Sequence, residues 1–217
     1  VAANAAGASA TQPAAPLVNR SLRTVLRDVP NARAALVAMA AGQASMALMM
    51  SCISIHMKDH DHVLGDIAIV ISVHTLGMFA FSPLVGQLTD RIGRRPVIVL
   101  GALVLIAGCV LVPVSLDTPV IAFAEFLVGL GWSGCYVAGS TLLTDALGVA
   151  ERARLQGAND ALVNIGSAIG SLSSGVLLEL IGIWPLSFVG LVVAALPLLF
   201  AASWPSAGRV VNGRKPV

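Results

Sequence analysis

The sequence predicts an all-α polytopic membrane protein, a bundle of six transmembrane helices, and three observations carry that prediction. Of 217 residues, 57% are hydrophobic and only 11% charged, far below the roughly 25% charge of soluble domains. Six apolar runs reach the length of about 20 residues that a helix needs to cross the hydrocarbon core. All six lack the period-two alternation that a transmembrane strand requires.

Taken in order, residues 1–18 are small-residue low complexity with nothing to bury, and are expected to be a flexible tail. Residues 19–33 form a basic segment in which Arg20, Arg23 and Arg27 recur at three and four residues. That spacing suits a short helix on anionic headgroups, or an ordinary positively charged flank. The membrane domain is placed at 34–205, with spans at Ala34–His56, Ile67–Leu88, Val97–Val114, Pro119–Leu143, Gln156–Leu178 and Pro185–Trp204, and 206–217 as a second tail. The first run is too long for a signal-peptide core of roughly 7 to 15 residues and is expected to stay in the membrane. Cys52, Cys109 and Cys135 lie singly within apolar runs and are assigned no ligand or disulfide chemistry.

Of the 13 Lys and Arg, all but Lys58 fall before the first span or after the second, fourth and sixth. The positive-inside rule then puts both termini on the cytoplasmic side of the cell membrane.

The third and sixth spans carry almost no polar side chain and are expected to face lipid all round. The other four carry polar groups: Gln43 in the first, His74 in the second, Glu125, Trp132 and Tyr136 on one face of the fourth. In the fifth, Asp160, Asn164, Ser167, Ser171 and Ser174 recur at helical spacing, a stripe that must meet protein or water. Gly166 and Gly170, and Gly129, Gly134 and Gly139 on the fourth, are candidates for close helix packing. The order polar, polar, bare, repeated, implies two three-helix repeats.

One charge-dense segment, "GQLTDRIGRR", interrupts the apolar pattern between the second and third spans. Asp90 there can cap the third helix or pair with an arginine, Gly86 lets another backbone come close and Gly93 permits a turn. Gly86, Asp90, Arg91, Gly93, Arg94 and Arg95 resemble the G-x-x-x-D-R-x-G-R-R loop signature of the major facilitator superfamily, in the position where that family has it.

The resemblance, extended by hydropathy over about 33–205, implies one six-helix half of a twelve-helix transporter. It further implies a cavity lined by the first and fourth helices, with the second and fifth at the boundary between halves. By the same resemblance Asp90 meets a helix terminus of the opposite half and Arg91 pairs with an acid at the inner end of the fourth span, taken as Asp145. Glu125 in the fourth span, and a fifth span without the antiporter proline motif, resemble a carboxy-terminal half. Val1 in place of a Met agrees with a chain whose other half precedes it; a second copy of the same chain is the alternative partner.

The expected function is proton-coupled secondary transport of a small solute, with Gln43, His74, Glu125, Trp132, Tyr136, Asp160 and Asn164 serving substrate or coupling; Glu125 also reads as a structural hydrogen-bonded acid, and His74 more readily as a histidine bonded to a neighbouring helix. No P-loop motif, cofactor or nucleic-acid partner is expected. Two readings from other classes stand beside it. One is a non-transporting membrane subunit. The other is an intramembrane protease, because Gly131-Trp132-Ser133-Gly134 resembles the rhomboid G-x-S-G, although rhomboids take their histidine from the sixth helix and this sixth span has none. His56, Asp59, His60, Asp61 and His62 have the ligand types for a transition metal, but their spacing fits no closed site and a solvated loop is expected.

Overall fold

The computed structural model describes residues 22–147 and 149–202, which form eight α-helices. Six spans of sufficient length and apolarity are present among them. The 1–18 and 206–217 tails, Arg20 and Trp204 lie outside the described residues.

Helix α1 (Leu22–Asp28) comes from the basic segment and is held to the bundle by Val25, which is fully buried beside Ala32, Ala35 and Leu36. Helix α2 (Pro30–Asp59) is the first span and opens on Pro30, whose missing N–H costs nothing in a first turn. The second span is split into α3 (Leu64–Phe79) and α4 (Ser82–Ile92). Pro83 has no N–H for the carbonyl of Phe79 and its ring crowds that carbonyl, so the helix restarts at Ser82. The remaining spans are α5 (Arg94–Leu111), α6 (Thr118–Asp145), α7 (Val149–Ile181) and α8 (Ile183–Ala202). Gly93 and Gly182 make the tight turns α4–α5 and α7–α8 at φ of 98° and 75°, values that a Cβ would strain.

Helices α2 and α6 are the most buried and form the centre. Around them α2 packs on α7 and α8, while α6 packs on α3–α4 and α5, and α5 meets α8. Exchanging α2 with α6, α3–α4 with α7 and α5 with α8 leaves this pattern unchanged. The two three-helix repeats are thus present, and each packs mainly against the other.

The bare third span does not face lipid on all sides. Gly101 and Gly108 of α5 lie so close to α6 that a Cβ would stand 2.8 Å from the Cys135 nitrogen at the first and from the Val128 nitrogen at the second. Only its far face, with Leu100, Leu103 and Val110, is exposed. Absence of polar groups fits a helix for lipid or for a tight apolar seam equally well, and α5 uses both. The least buried spans are α3–α4 and α7.

Helices α3–α4 and α6 run in the same direction in constant register. His74 meets Glu125 and Ser82 meets Ser133 at 3.1 Å, and just past the turn Arg94, the first residue of α5, meets Asp145 at 2.8 Å, each pair 51 residues apart. These ties are spread over about 30 Å of helix, the thickness of the hydrocarbon core.

Candidate functional site

A row of aromatic and polar side chains crosses one face of the bundle from α3 to α7. Phe79 packs edge-on to Trp132 at 6.0 Å, and Trp132 stacks on Tyr136, one turn further along α6, at 5.0 Å and 22°. The Trp132 indole N–H donates to Gln43 Oε1 at 2.7 Å, and Gln43 Nε2 donates to Ser167 Oγ at 3.3 Å. Tyr136 lies beside Asp160, whose Oδ1 accepts from Gln156 Nε2 at 3.2 Å.

The structure therefore brings Gln43, Trp132, Tyr136 and Asp160 together from three spans. Asn164 is on the same helix as Asp160, exposed, with its Nδ2 donating to the Asp160 carbonyl at 2.7 Å. Phe79 was not legible as a member of this row, since an isolated Phe in an apolar run carries no signal of its own.

The fifth-span stripe divides between two surroundings. Asp160 and Asn164 are exposed, whereas Ser167 bonds Gln43, Ser171 accepts from Ser51 Oγ at 3.0 Å and Ser174 is buried. The part from Ser167 to Ser171 thus lies in a seam along α2. Gly170 supports that seam, for a Cβ there would be 3.2 Å from the Ala44 carbonyl oxygen; Gly166 is less closely approached, at 4.0 Å from Ala44 Cβ.

Glu125 and His74 stand apart from the row. Both are 0% exposed, enclosed between α3 and α6. The His74 Nδ1 lies 2.8 Å from Glu125 Oε2 and 3.0 Å from the Glu125 carbonyl oxygen. The carbonyl has hydrogen-bond alignment and the carboxyl lies close beside it, and among the described residues His74 Nε2 and both Glu125 carboxyl oxygens are buried without a hydrogen-bond partner. The helical spacing that puts Glu125 on the Trp132 face is correct, but α3 covers that end of the face. The backbones touch there: a Cβ on Gly77 would meet the Phe126 carbonyl, and one on Gly129 the His74 carbonyl.

At the end of the bundle that carries the α4–α5 loop the partner of Asp145 is Arg94, whose Nε donates to Oδ2 at 2.8 Å, and not Arg91, which is exposed. Arg94 opens α5 directly after the Gly93 turn, and this places it level with Asp145, the last residue of α6. Asp90 pairs with Arg94 at 3.7 Å rather than capping α5, whose N-cap is Gly93. Arg95 Nη2 donates to Asn31 Oδ1 at 2.8 Å, tying the loop to the start of α2. No neighbouring atom lies within 4 Å of the Cβ position of Gly86, so the close approach expected there does not occur among the described residues.

The remaining candidates have ordinary surroundings. Gly131 and Gly134 pack on Gly101 and Leu105 of α5, and the Ser133 hydroxyl lies with that of Ser82. His60 Nδ1 is 2.8 Å from the His56 carbonyl oxygen, and His62 lies beside Thr118 and Asp66.

Comparison with known proteins bears on what this face does. The family model described as Major Facilitator Superfamily matches residues 34–214. The chain is 31% identical over 181 residues to the uncharacterized MFS-type transporter YddS of Bacillus subtilis, covering 82% of this chain and 42% of that protein. It is 30% identical over 167 residues to the riboflavin transporter RfnT of Brucella anthropi, covering 76% of this chain and 42% of that one. A shorter match, 30% over 113 residues, covers 51% of this chain and 27% of the multidrug resistance protein MdtM of Salmonella typhimurium. The chain thus spans less than half the length of the curated relatives it matches.

Proposed function

The chain belongs to the major facilitator superfamily, and on that premise we propose that it forms one six-helix half of a secondary transporter that moves a small solute by alternating access. The observation that carries this reading is the row from Phe79 to Asp160. A carboxylate exposed on the side of a membrane-spanning helix is costly against lipid, so this face requires water and a covering partner. The poorly buried α3–α4 and α7 flank the row, which is the placement that a second six-helix unit would cover. The proposed partner is the other half, supplied by the same longer chain or by a second copy.

Protons are the proposed coupling ion, with Glu125 and His74 as carrier. The pair holds an imidazole nitrogen and a carboxylate oxygen 2.8 Å apart at 0% exposure, so a proton gained or lost there changes the charge away from bulk solvent. In vesicles containing the assembled transporter, Glu125→Gln should abolish pH-gradient-driven flux while solute exchange without a gradient continues. Full gradient-driven flux in that variant would remove Glu125 from coupling.

The cytoplasmic ties suggest a conformational role for Asp90 and Arg94. Asp90→Asn should lower turnover and shift the balance of inward-open and outward-open states, leaving intrinsic affinity within about twofold; a selective loss of affinity would contradict it.

The proposed orientation puts both termini in the cytoplasm. In a background lacking Cys52, Cys109 and Cys135, an impermeant thiol reagent applied to intact cells should label Lys58→Cys and Leu116→Cys but neither Arg91→Cys nor Arg152→Cys. Labelling of the arginine positions would invert the topology.

A further inference from the structure

The charge inside this half has one sign. The six predicted apolar runs contain no Lys or Arg, and their acids are Glu125 and Asp160. Glu125 is closed off with His74, so the carboxylate that the open face presents is that of Asp160.

The polar atoms nearest to it are already committed. The Trp132 N–H is held by Gln43, the Gln43 amide nitrogen by Ser167 and the Asn164 amide nitrogen by the Asp160 carbonyl. Asp160 Oδ1 accepts from Gln156 and, at 3.5 Å, from Asn159, and the Tyr136 hydroxyl faces the same carboxylate, which leaves the Tyr136 ring face to a ligand. What remains for a ligand is one acidic group and a surface of aromatic rings, with Tyr136 partly open and Phe79 59% exposed. Ring faces carry the negative lobe of their quadrupole and attract cations, and flat rings stack on them with centroids about 4.5–7 Å apart. The two features point to the same kind of ligand.

We propose that the ligand of this wall is an organic cation bearing a flat aromatic group, its charge beside Asp160 and its ring against Tyr136 and Phe79. This rests on the reading that the row lines the solute pathway. A low-dielectric surround strengthens the attraction of a lone carboxylate for a cation and penalises an anion in its place. Asp160 thereby selects by charge, and the aromatic surface selects by shape.

Three acridine probes of nearly one shape separate these terms: N-methylacridinium, acridine (uncharged at the assay pH) and acridine-9-carboxylate. Their binding to the assembled transporter in phosphatidylcholine nanodiscs is measured by equilibrium dialysis, with empty discs subtracted and helicity checked for each variant. The cation should bind at least about tenfold more tightly than the neutral ring, and the anion more weakly than either. Asp160→Asn should bring the cation to the level of the neutral probe, Asp160→Glu should restore most of the preference, and Tyr136→Leu should weaken all three.

Equal or tighter binding of the neutral or anionic probe, a cation preference that survives Asp160→Asn, or no binding of any probe overturns the proposal. Flux in vesicles distinguishes it from the transporter reading. Cation binding without flux under any gradient defeats transport and leaves the ligand class, whereas flux of solutes without preference for cations defeats the ligand class alone.

Discussion

Replacing Glu125 by leucine while His74 remains should cost the fold about 3–5 kcal/mol, and replacing both by leucine should recover most of that loss. The asymmetry follows from their burial. Each is fully enclosed, and His74 Nε2 and Glu125 Oε1 have no hydrogen-bond partner among the described residues, so a survivor of a single substitution has no other group beside it to turn to. Water cannot enter easily either, because the backbones of α3 and α6 touch beside the pair at Gly77 and Gly129. Two leucines would leave an apolar seam of similar volume, which the membrane interior tolerates. Reversible unfolding of the single and double variants in mixed micelles measures this directly. A double variant no more stable than Glu125→Leu would show that the two groups do not compensate each other.

Gly129→Val is expected to be about as damaging, with a loss of about 3 kcal/mol or more, because its side chain would meet backbone and not a flexible side chain. Its Cβ would fall against the His74 carbonyl oxygen and 3.1 Å from the Met78 nitrogen, so α3 and α6 would have to separate along their length. Gly157→Ala on α7 is the control. Nothing lies within 4 Å of that Cβ position, and alanine's higher helix propensity should leave stability unchanged or raise it by up to about 1 kcal/mol. Equal melting temperatures for Gly129→Val and the parent chain would mean that the seam is looser than the structure shows.

The six spans were legible because crossing a bilayer imposes a minimum apolar length, and each run meets it within a turn or two of the observed helix. The break at Ala80–Phe81 was hidden by hydropathy, since Pro83 is apolar and lies inside an otherwise continuous run. Gln43, Trp132, Tyr136 and Asp160 could be named from their polarity at depth in apolar helices. Which of them touch could not, because contact depends on how spans with no periodic link in sequence are rotated against one another. The same limit separates Glu125 from its expected place on the cavity face, and gives Asp145 to Arg94 in place of Arg91. A register of 51 residues between parallel helices is fixed by the length of α5 and its two connections, a quantity with meaning only once the helices have been placed.

That register has a consequence for biogenesis. The second span is synthesised long before the fourth, and α5 must cross the membrane between them, so His74 and Ser82 enter the bilayer while the groups that will meet them are still inside the ribosome or the insertion channel. In that interval the imidazole lacks the carbonyl and carboxyl of Glu125 that it meets in the folded half. Retention of the second span beside the channel until α6 arrives would shield it from lipid, and release one helix at a time would not. Because each three-helix repeat packs mainly on the other, the nascent first repeat has no finished surface to fold onto. The first repeat therefore starts to find its packing partners only when the fourth span is delivered, and α2 and α5 complete theirs with α7 and α8.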